Sequence, residues 1–245
     1  MRIGILSDIH GNLEALDACL KALEEAGAET YIQCGDIIGY GPDAEACTQR
    51  VMQLPLLAGV MGNHDAILAF PSLENWFNYE AKTALGESIK KLPVACADYL
   101  RTLPASIQGE NFAVVHGTPF DPIKEYFHSM EQFNMYYRLW QGQVLFVGHT
   151  HLQFYIKGSP RTCHMYLNQK EEHTITLHKN CRYVINPGAV GKPRDHNPYA
   201  ACGLWDSDEA TFTFLREPYD FTLTQEKMRQ SGYPEFLIES LAYGL

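Results

Sequence analysis

The sequence predicts an α/β protein with two packed sheets and helices outside them. Three observations carry this expectation. The first sixty residues alternate short apolar strands with amphipathic helices, the chain from about residue 105 onward is mostly strand-like, and no Gly/Ser- or Pro-rich linker separates the two parts.

Residues 2–7 are a short buried strand. From Asn12 to Ala26, Leu13, Leu16, Leu20 and Leu23 recur at helical spacing and Gly27 ends the run. Thr30–Cys34 is a second apolar strand. Pro42 opens a helix to about Met52, because Pro suits a first helical position. Leu56–Val60 is a third strand, and this β-α-β-α-β order predicts parallel pairing with crossover helices. Residues 64–104 form a helical insertion, interrupted at Pro71, Pro93 and Pro104. Beyond it the strand candidates are 106–107, 112–115, 144–147, 154–157, 174–178, 183–185, 200–205 and 211–215. One helix, about His128 to Trp140, interrupts them, and the last 25 residues form a helix and an irregular tail.

With 245 residues, 46% hydrophobic and 20% charged, the chain can bury a core of its own, which excludes disorder and fibrous repeats. The missing linker favours one domain over 1–245. Nineteen Lys and Arg against 29 Asp and Glu give a net charge of −10, with no basic run beyond Lys90-Lys91. That argues against nucleic-acid polymers and anionic membranes as partners. Seven widely spaced Cys, an odd number without Cys-x-x-Cys, predict free thiols and a cytoplasmic setting. No leader-like or membrane-spanning apolar run is expected either.

The chemistry lies just after the strands. Asp8-Ile9-His10 follows the first, Gly35-Asp36 the second and Gly62-Asn63-His64-Asp65 the third. His116-Gly117 follows 112–115, and Gly148-His149-Thr150-His151 follows 144–147. Carboxyl ends of strands are where open α/β sheets bind ligands, and adjacent Gly allows close approach. Any one piece is ordinary turn or cap chemistry; the ordered set is not. Five of the ten His sit in these positions. Two carboxylates, an amide and several imidazoles suit Mn, Fe or Zn, and there are too many donors for one ion. Two ions about 3.5–4 Å apart can clamp an in-line displacement at phosphorus.

These motifs resemble the calcineurin-like metallophosphoesterase superfamily. The stretch from Asn186 to Asp195 extends the likeness toward its small prokaryotic phosphodiesterase branch. The resemblance implies a four-layer α/β/β/α sandwich with two mixed sheets and a dinuclear metal site at strand ends. It implies that Asp8, His10 and His151 hold one ion, that Asn63, His116 and His149 hold the other, and that Asp36 bridges them. His64 would act against the leaving-group oxygen and the phosphate. The reaction implied is attack of a metal-bridged hydroxide on a small-molecule phosphate ester, most simply a diester. Two divalent ions are expected as cofactors, with Ni or Co serving in vitro.

Monoesterase relatives, protein phosphatases among them, carry Asp-Arg-Gly shortly after the bridging Asp, where this chain has Ile37-Ile38-Gly39-Tyr40-Gly41. Arg194 could replace that arginine, or pair with Asp195. Asn12 could reach the phosphate or cap a helix. Tyr40 could line the substrate mouth. A metal-bound, non-catalytic scaffold would be expected to have lost ligand positions, and all seven are intact here. Asp65 would hold a loop or an imidazole. The aromatics at 76–79 and 136–140 fit a core, though some could wall the pocket, and specificity is expected from 70–104 and from loops near 120–135 and 158–172.

Overall fold

Among the residues that the computed structural model describes, 1–159 and 162–245, twelve strands form two six-stranded mixed sheets. The first third folds as its periodicity predicts. Strand β1 (Arg2–Leu6) leads to helix α1 (Leu13–Glu25), then β2 (Thr30–Gln33), α2 (Ala44–Gln53) and β3 (Leu56–Gly59). β1, β2 and β3 pair in parallel. α1 buries Leu16, Leu20 and Leu23 on one face. α2 starts two residues later than expected, because Asp43 rather than Pro42 adjoins its first turn.

The helical segment follows as α3 (Asn63–Ala66), a 3-10 turn (Pro71–Trp76), α4 (Tyr79–Lys90) and α5 (Val94–Thr102). Then come β4 (Ser106–Gln108), β5 (Phe112–Val115), α6 (Met130–Tyr136), β6 (Val144–Phe146), β7 (Gln153–Ser159) and β8 (Thr162–Leu167). β9 (Glu172–Thr176), β10 (Arg182–Pro187), β11 (Ala200–Asp206), β12 (Thr211–Glu217), α7 (Phe221–Gln230) and α8 (Glu235–Ser240) complete the order. One sheet runs β3-β2-β1-β11-β12-β9 and the other β4-β5-β6-β10-β7-β8.

Alternation on the strands builds the layers. Ile3 and Ile5 of β1, Phe112 and Val114 of β5, and Trp205, Phe212 and Phe214 meet in one apolar layer between the sheets. Leu6 points the other way, into the cluster holding Leu16 and Leu20 of α1. Ala113 and Val115 point outward against Phe133 and Tyr136 of α6. The outcome is the α/β/β/α order of layers.

Two expectations need correction. α6 covers only 130–136 of the predicted 128–140. Part of the predicted loop near 158–172 is strand β8, with residues 160 and 161 outside the described residues. β8 is a sheet edge whose side chains are exposed or half-buried, so no apolar period marks it. Among the described residues no helix is long and apolar enough to cross a membrane.

Candidate metal centre and substrate cavity

The loops after β1, β2, β3, β5 and β6 converge, so both sheets contribute. Their backbone is unusual. Among the described residues seven non-glycine positions have positive φ, and five of them are Asp8, His10, Asp36, His149 and His151. Left-handed backbone costs roughly 1–2 kcal/mol at a residue with a Cβ, less for Asp and His, and such strain concentrates at functional sites. Cross-links hold the loops in place. The amide of His10 donates to Asp36 O at 2.9 Å, and that of Asp8 to Gly35 O at 3.0 Å. The His149 amide donates to the Asp8 carboxylate at 3.1 and 3.2 Å, and the His64 amide to Asp36 Oδ1 at 2.8 Å. A Cβ at Gly62 would lie 2.1 Å from Asp36 Oδ1, so only glycine allows that approach.

Four imidazoles share one arrangement. His10 Nδ1 faces Ile38 O at 3.2 Å, and His116 Nδ1 faces Cys34 O at 2.9 Å. His151 Nδ1 faces Lys192 O at 2.5 Å, and His149 Nε2 faces Lys124 O at 3.1 Å. A carbonyl can only accept, so these ring nitrogens carry the protons, and the opposite nitrogens present lone pairs. Those lone pairs converge. His10 Nε2 lies 3.1 Å from His151 Nε2. His116 Nε2 lies 3.1 Å from both His149 Nδ1 and Asn63 Oδ1. Acceptors facing acceptors at this distance repel unless a metal cation or a further proton lies among them. Asp36 Oδ2 is buried and has no hydrogen bond among the described residues. It lies 3.7 Å from His10 Nε2 and 3.3 Å from His116 Nε2, between the two groups. Ligand atoms of Asp8, His10 and His151, of His10, Asp36 and His64, and of Asp36, His116 and His149 fall within 4.8 Å of one another in each set. This donor set fits two divalent cations.

The electrostatics point the same way. Burial alone would push Asp8 and Asp36 up, yet the facing imidazoles outweigh it and hold both below the usual carboxylate range. Burial opposes charge on His116 too, but Asp36 and then Asp8 prevail and push it up to about 9. His149, buried and beside His116, is pushed down to about 3. The two carboxylates therefore favour positive charge here.

A cavity of about 200 Å³ opens on the centre, lined by Asp36, Asn63, His64, Tyr40 and Arg194 and walled by Trp76, Phe77 and Tyr126. His64 is buried, with its ring 4.8 Å from those of His10, Tyr40 and Phe77. Burial pushes it down to about 4, so it is neutral near pH 7. Its Nδ1 has no partner among the described residues. A Cβ at Gly39 would lie 2.3 Å from His10 Nδ1 and 2.8 Å from His64 Nδ1, so glycine there makes room for both rings.

Arg194 donates to Tyr40 Oη at 3.3 Å, while Asp195 pairs with Arg216 instead. Asn12 takes its other role. Its Oδ1 caps α1 by accepting from Ala15 N, and its Nδ2 donates to Gly191 O and Tyr219 Oη. It is not among the residues that line the cavity. Trp76 and Tyr79 are exposed rather than core, whereas Tyr136 and Trp140 are buried under the second sheet. Tyr126, which sequence reasoning missed, stacks on His149 with centroids 3.8 Å apart. The proximal signal was only an aromatic in a loop.

Asp65 holds a loop. Its carboxylate accepts from the amides of Ile37, Ile38 and Gly62 at 3.0–3.2 Å, tying the β2 and β3 loops together. Asp65→Ala leaves three buried donors unpaired and should cost about 2–4 kcal/mol. The Tm should then fall by roughly 5–10 °C in a thermal melt. A shift of about 1 °C would show that the loops do not depend on this carboxylate.

Two mixed sheets carrying a centre of imidazoles and carboxylates at their strand ends define a metallophosphoesterase class. The chain belongs to the calcineurin-like phosphoesterase superfamily, whose domain pattern matches residues 1–209. An uncharacterised protein of Methanocaldococcus jannaschii is 32% identical over 99% of this chain and 98% of its own length. The crystal structure of a metallophosphoesterase from Sphaerobacter thermophilus superposes with a TM-score of 0.88 at 33% identity, covering 100% of this chain and 99% of that one. The phosphodiesterase YfcE of Escherichia coli is 23% identical over 89% of this chain and 94% of its own.

Proposed function

We propose that this chain is a dinuclear metal-dependent phosphodiesterase acting on a small-molecule phosphate ester. One observation carries the reading: four imidazoles, each anchored through its other ring nitrogen to a backbone carbonyl, aim lone pairs at two points flanking an unpaired buried carboxylate oxygen. Asp8, His10 and His151 would hold one ion and Asn63, His116 and His149 the other, with Asp36 available to both. The mixed oxygen and nitrogen donors suit Mn, Fe or Zn. Two such ions supply Lewis acidity and an activated water. They also leave the centre positive, which attracts a phosphate ester to a chain of net charge −10. His64 offers a neutral N–H to the leaving oxygen. Arg194 meets a phosphoryl oxygen, and the aromatic walls accept the organic groups of the ester. The whole chain, 1–245, works as one unit around the shared central layer, and its free cysteines fit a cytoplasmic setting.

The test is metal-free protein assayed with bis(p-nitrophenyl) phosphate and p-nitrophenyl phosphate, adding Mn, Fe(II), Zn, Ni, Co and Mg separately. Metal-dependent turnover favouring the diester supports the proposal, and no turnover with any metal defeats it. A second reading, a phosphomonoesterase, is favoured by Arg194 standing in the cavity with a guanidinium whose only hydrogen-bond partner among the described residues is a tyrosine. A charge-assisted hydrogen bond contributes about 1.5–3 kcal/mol, so Arg194→Ala should raise KM about 10- to 100-fold. A much larger rise on the monoester than on the diester would promote the second reading.

A further inference from the structure

The superfamily pattern ends at residue 209, yet the chain beyond β12 is fastened to the substrate side of the cavity. We infer that segment 221–245 is a specificity brace: it fixes the Arg194–Tyr40 pair and so sets the affinity of the cavity for phosphate oxygens. This rests on the proposed function.

The brace holds the pair from both ends. On the Arg194 side, the Lys192 side chain runs away from the cavity. Its Nζ donates to Ser240 Oγ at 2.8 Å and to the carbonyl of Leu245. The His196 amide donates to Gly244 O at 3.0 Å. Arg194 thus lies between two residues bound to the segment. On the Tyr40 side, Tyr233 Oη donates to Gly41 O at 2.9 Å, one residue from Tyr40. The Tyr40 ring packs against the apolar cluster of Met228, Tyr233, Ile238 and Leu241, which also takes in Ala84 of α4. The Lys192 ammonium lies 5.5 Å from the centre of that ring. Among the described residues, no hydrogen bond of 221–245 reaches any of the seven candidate ligands.

This arrangement separates two jobs. The main chain of Lys192 orients His151 through its carbonyl, whereas its side chain anchors the brace. The Arg194 amide also donates to His151 O at 3.4 Å, a main-chain bond that a perturbation made from the segment side leaves in place while it loosens the Arg194 side chain. Ser240→Ala removes one acceptor from Lys192, and Tyr233→Phe removes the bond to Gly41 while keeping the ring. Both should leave the fold intact.

The experiment uses the full chain with Ser240→Ala, Tyr233→Phe and the double variant. Loss of one or two hydrogen bonds should weaken inorganic phosphate binding to the Mn-loaded protein about three- to tenfold by calorimetry. KM for bis(p-nitrophenyl) phosphate should rise by the same factor, with kcat changed less than about twofold. Mn affinity should not move. In an Arg194→Ala background the same substitutions should add nothing, because the coupled residue is gone. Amide hydrogen exchange provides a readout that needs neither metal nor substrate: residues 192–197 should lose protection in the variants while 7–11 and 62–66 keep theirs. Unchanged protection at 192–197 overturns the brace, as does unchanged phosphate affinity. A fall in Mn affinity equal to the fall in phosphate affinity also overturns it, because the segment would then support the metal centre. If the wild type hydrolyses neither ester, the enzymatic reading fails, and exchange together with phosphate titration still decides the brace.

Discussion

Asp36→Asn is expected to lower metal-dependent ester hydrolysis by about a thousandfold or more, with the fold retained. The substitution is nearly isosteric, and its consequences divide between the two oxygens. Oδ1 accepts from the His64 amide at 2.8 Å, a bond that an asparagine oxygen can keep. Oδ2 has no hydrogen bond among the described residues and faces Nε2 of His10 and of His116 at 3.7 and 3.3 Å. Asparagine places an amide N–H₂ there, aimed at the points where the proposed cations would lie, and removes one negative charge. Metal ions contribute several kcal/mol of transition-state stabilisation, and about 4 kcal/mol corresponds to a factor near a thousand.

A thermal melt separates lost metal from lost chemistry. At about a hundredfold excess over Kd, a ligand that binds only the folded state adds about 2.7 kcal/mol. In a chain of this length that is a rise of roughly 5–10 °C in Tm. The wild type should show it with Mn, and Asp36→Asn should show little or none. If the variant keeps the full shift and more than about a tenth of the activity, Asp36 does not lie between the ions, and the centre needs another bridge.

Most of this centre was legible in the sequence, for a physical reason. Buried strands such as Ile3–Leu6, Phe112–Val115 and Val144–Phe146 are continuous apolar runs, so polar residues directly after them stand out. Chain order then gives the candidate ligands, because parallel strands from both sheets bring their carboxyl ends to one place. The left-handed backbone at Asp8, His10, Asp36, His149 and His151 left no such trace. None of these is glycine, and the conformation is imposed by bonds between loops far apart in sequence.

The readings that the sequence leaves open share that origin. Asn12 has one amide and two plausible tasks; only the approach of Ala15, Gly191 and Tyr219 shows it to be spent on capping. Asp65 draws its donors from Ile37, Ile38 and Gly62, two separate loops that no local pattern joins. β8 is an exposed edge and lacks the apolar contrast that marks the inner strands. Trp76 and Tyr126 are loop aromatics whose composition suits either a core or a cavity wall, and only their place around His149 distinguishes the two. Where one strand carries the signal the sequence displays it; where two or more distant segments must meet, the fold supplies it.

His64→Ala should lower kcat by about 10²–10⁴ on esters with poor leaving groups, and far less on p-nitrophenyl esters. The imidazole is buried against His10, Tyr40 and Phe77 and lines the cavity beside Asn63 and Asp36, so it can reach the ester without serving as an anchored ligand. A hydrogen bond to the departing oxygen matters in proportion to the charge that oxygen develops. An alkoxide needs it, whereas p-nitrophenolate delocalises its charge and leaves unaided. KM and Mn affinity should change little, because the four anchored imidazoles and both carboxylates remain. The measurement is kcat for a methyl and a p-nitrophenyl ester of the same phosphate, in wild type and variant, with Mn titrated separately. Equal losses on both esters would assign His64 to holding the phosphoryl group. A parallel fall in Mn affinity would make its imidazole a support of the metal centre, a role suggested by its ligand atom lying within 4.8 Å of those of His10 and Asp36.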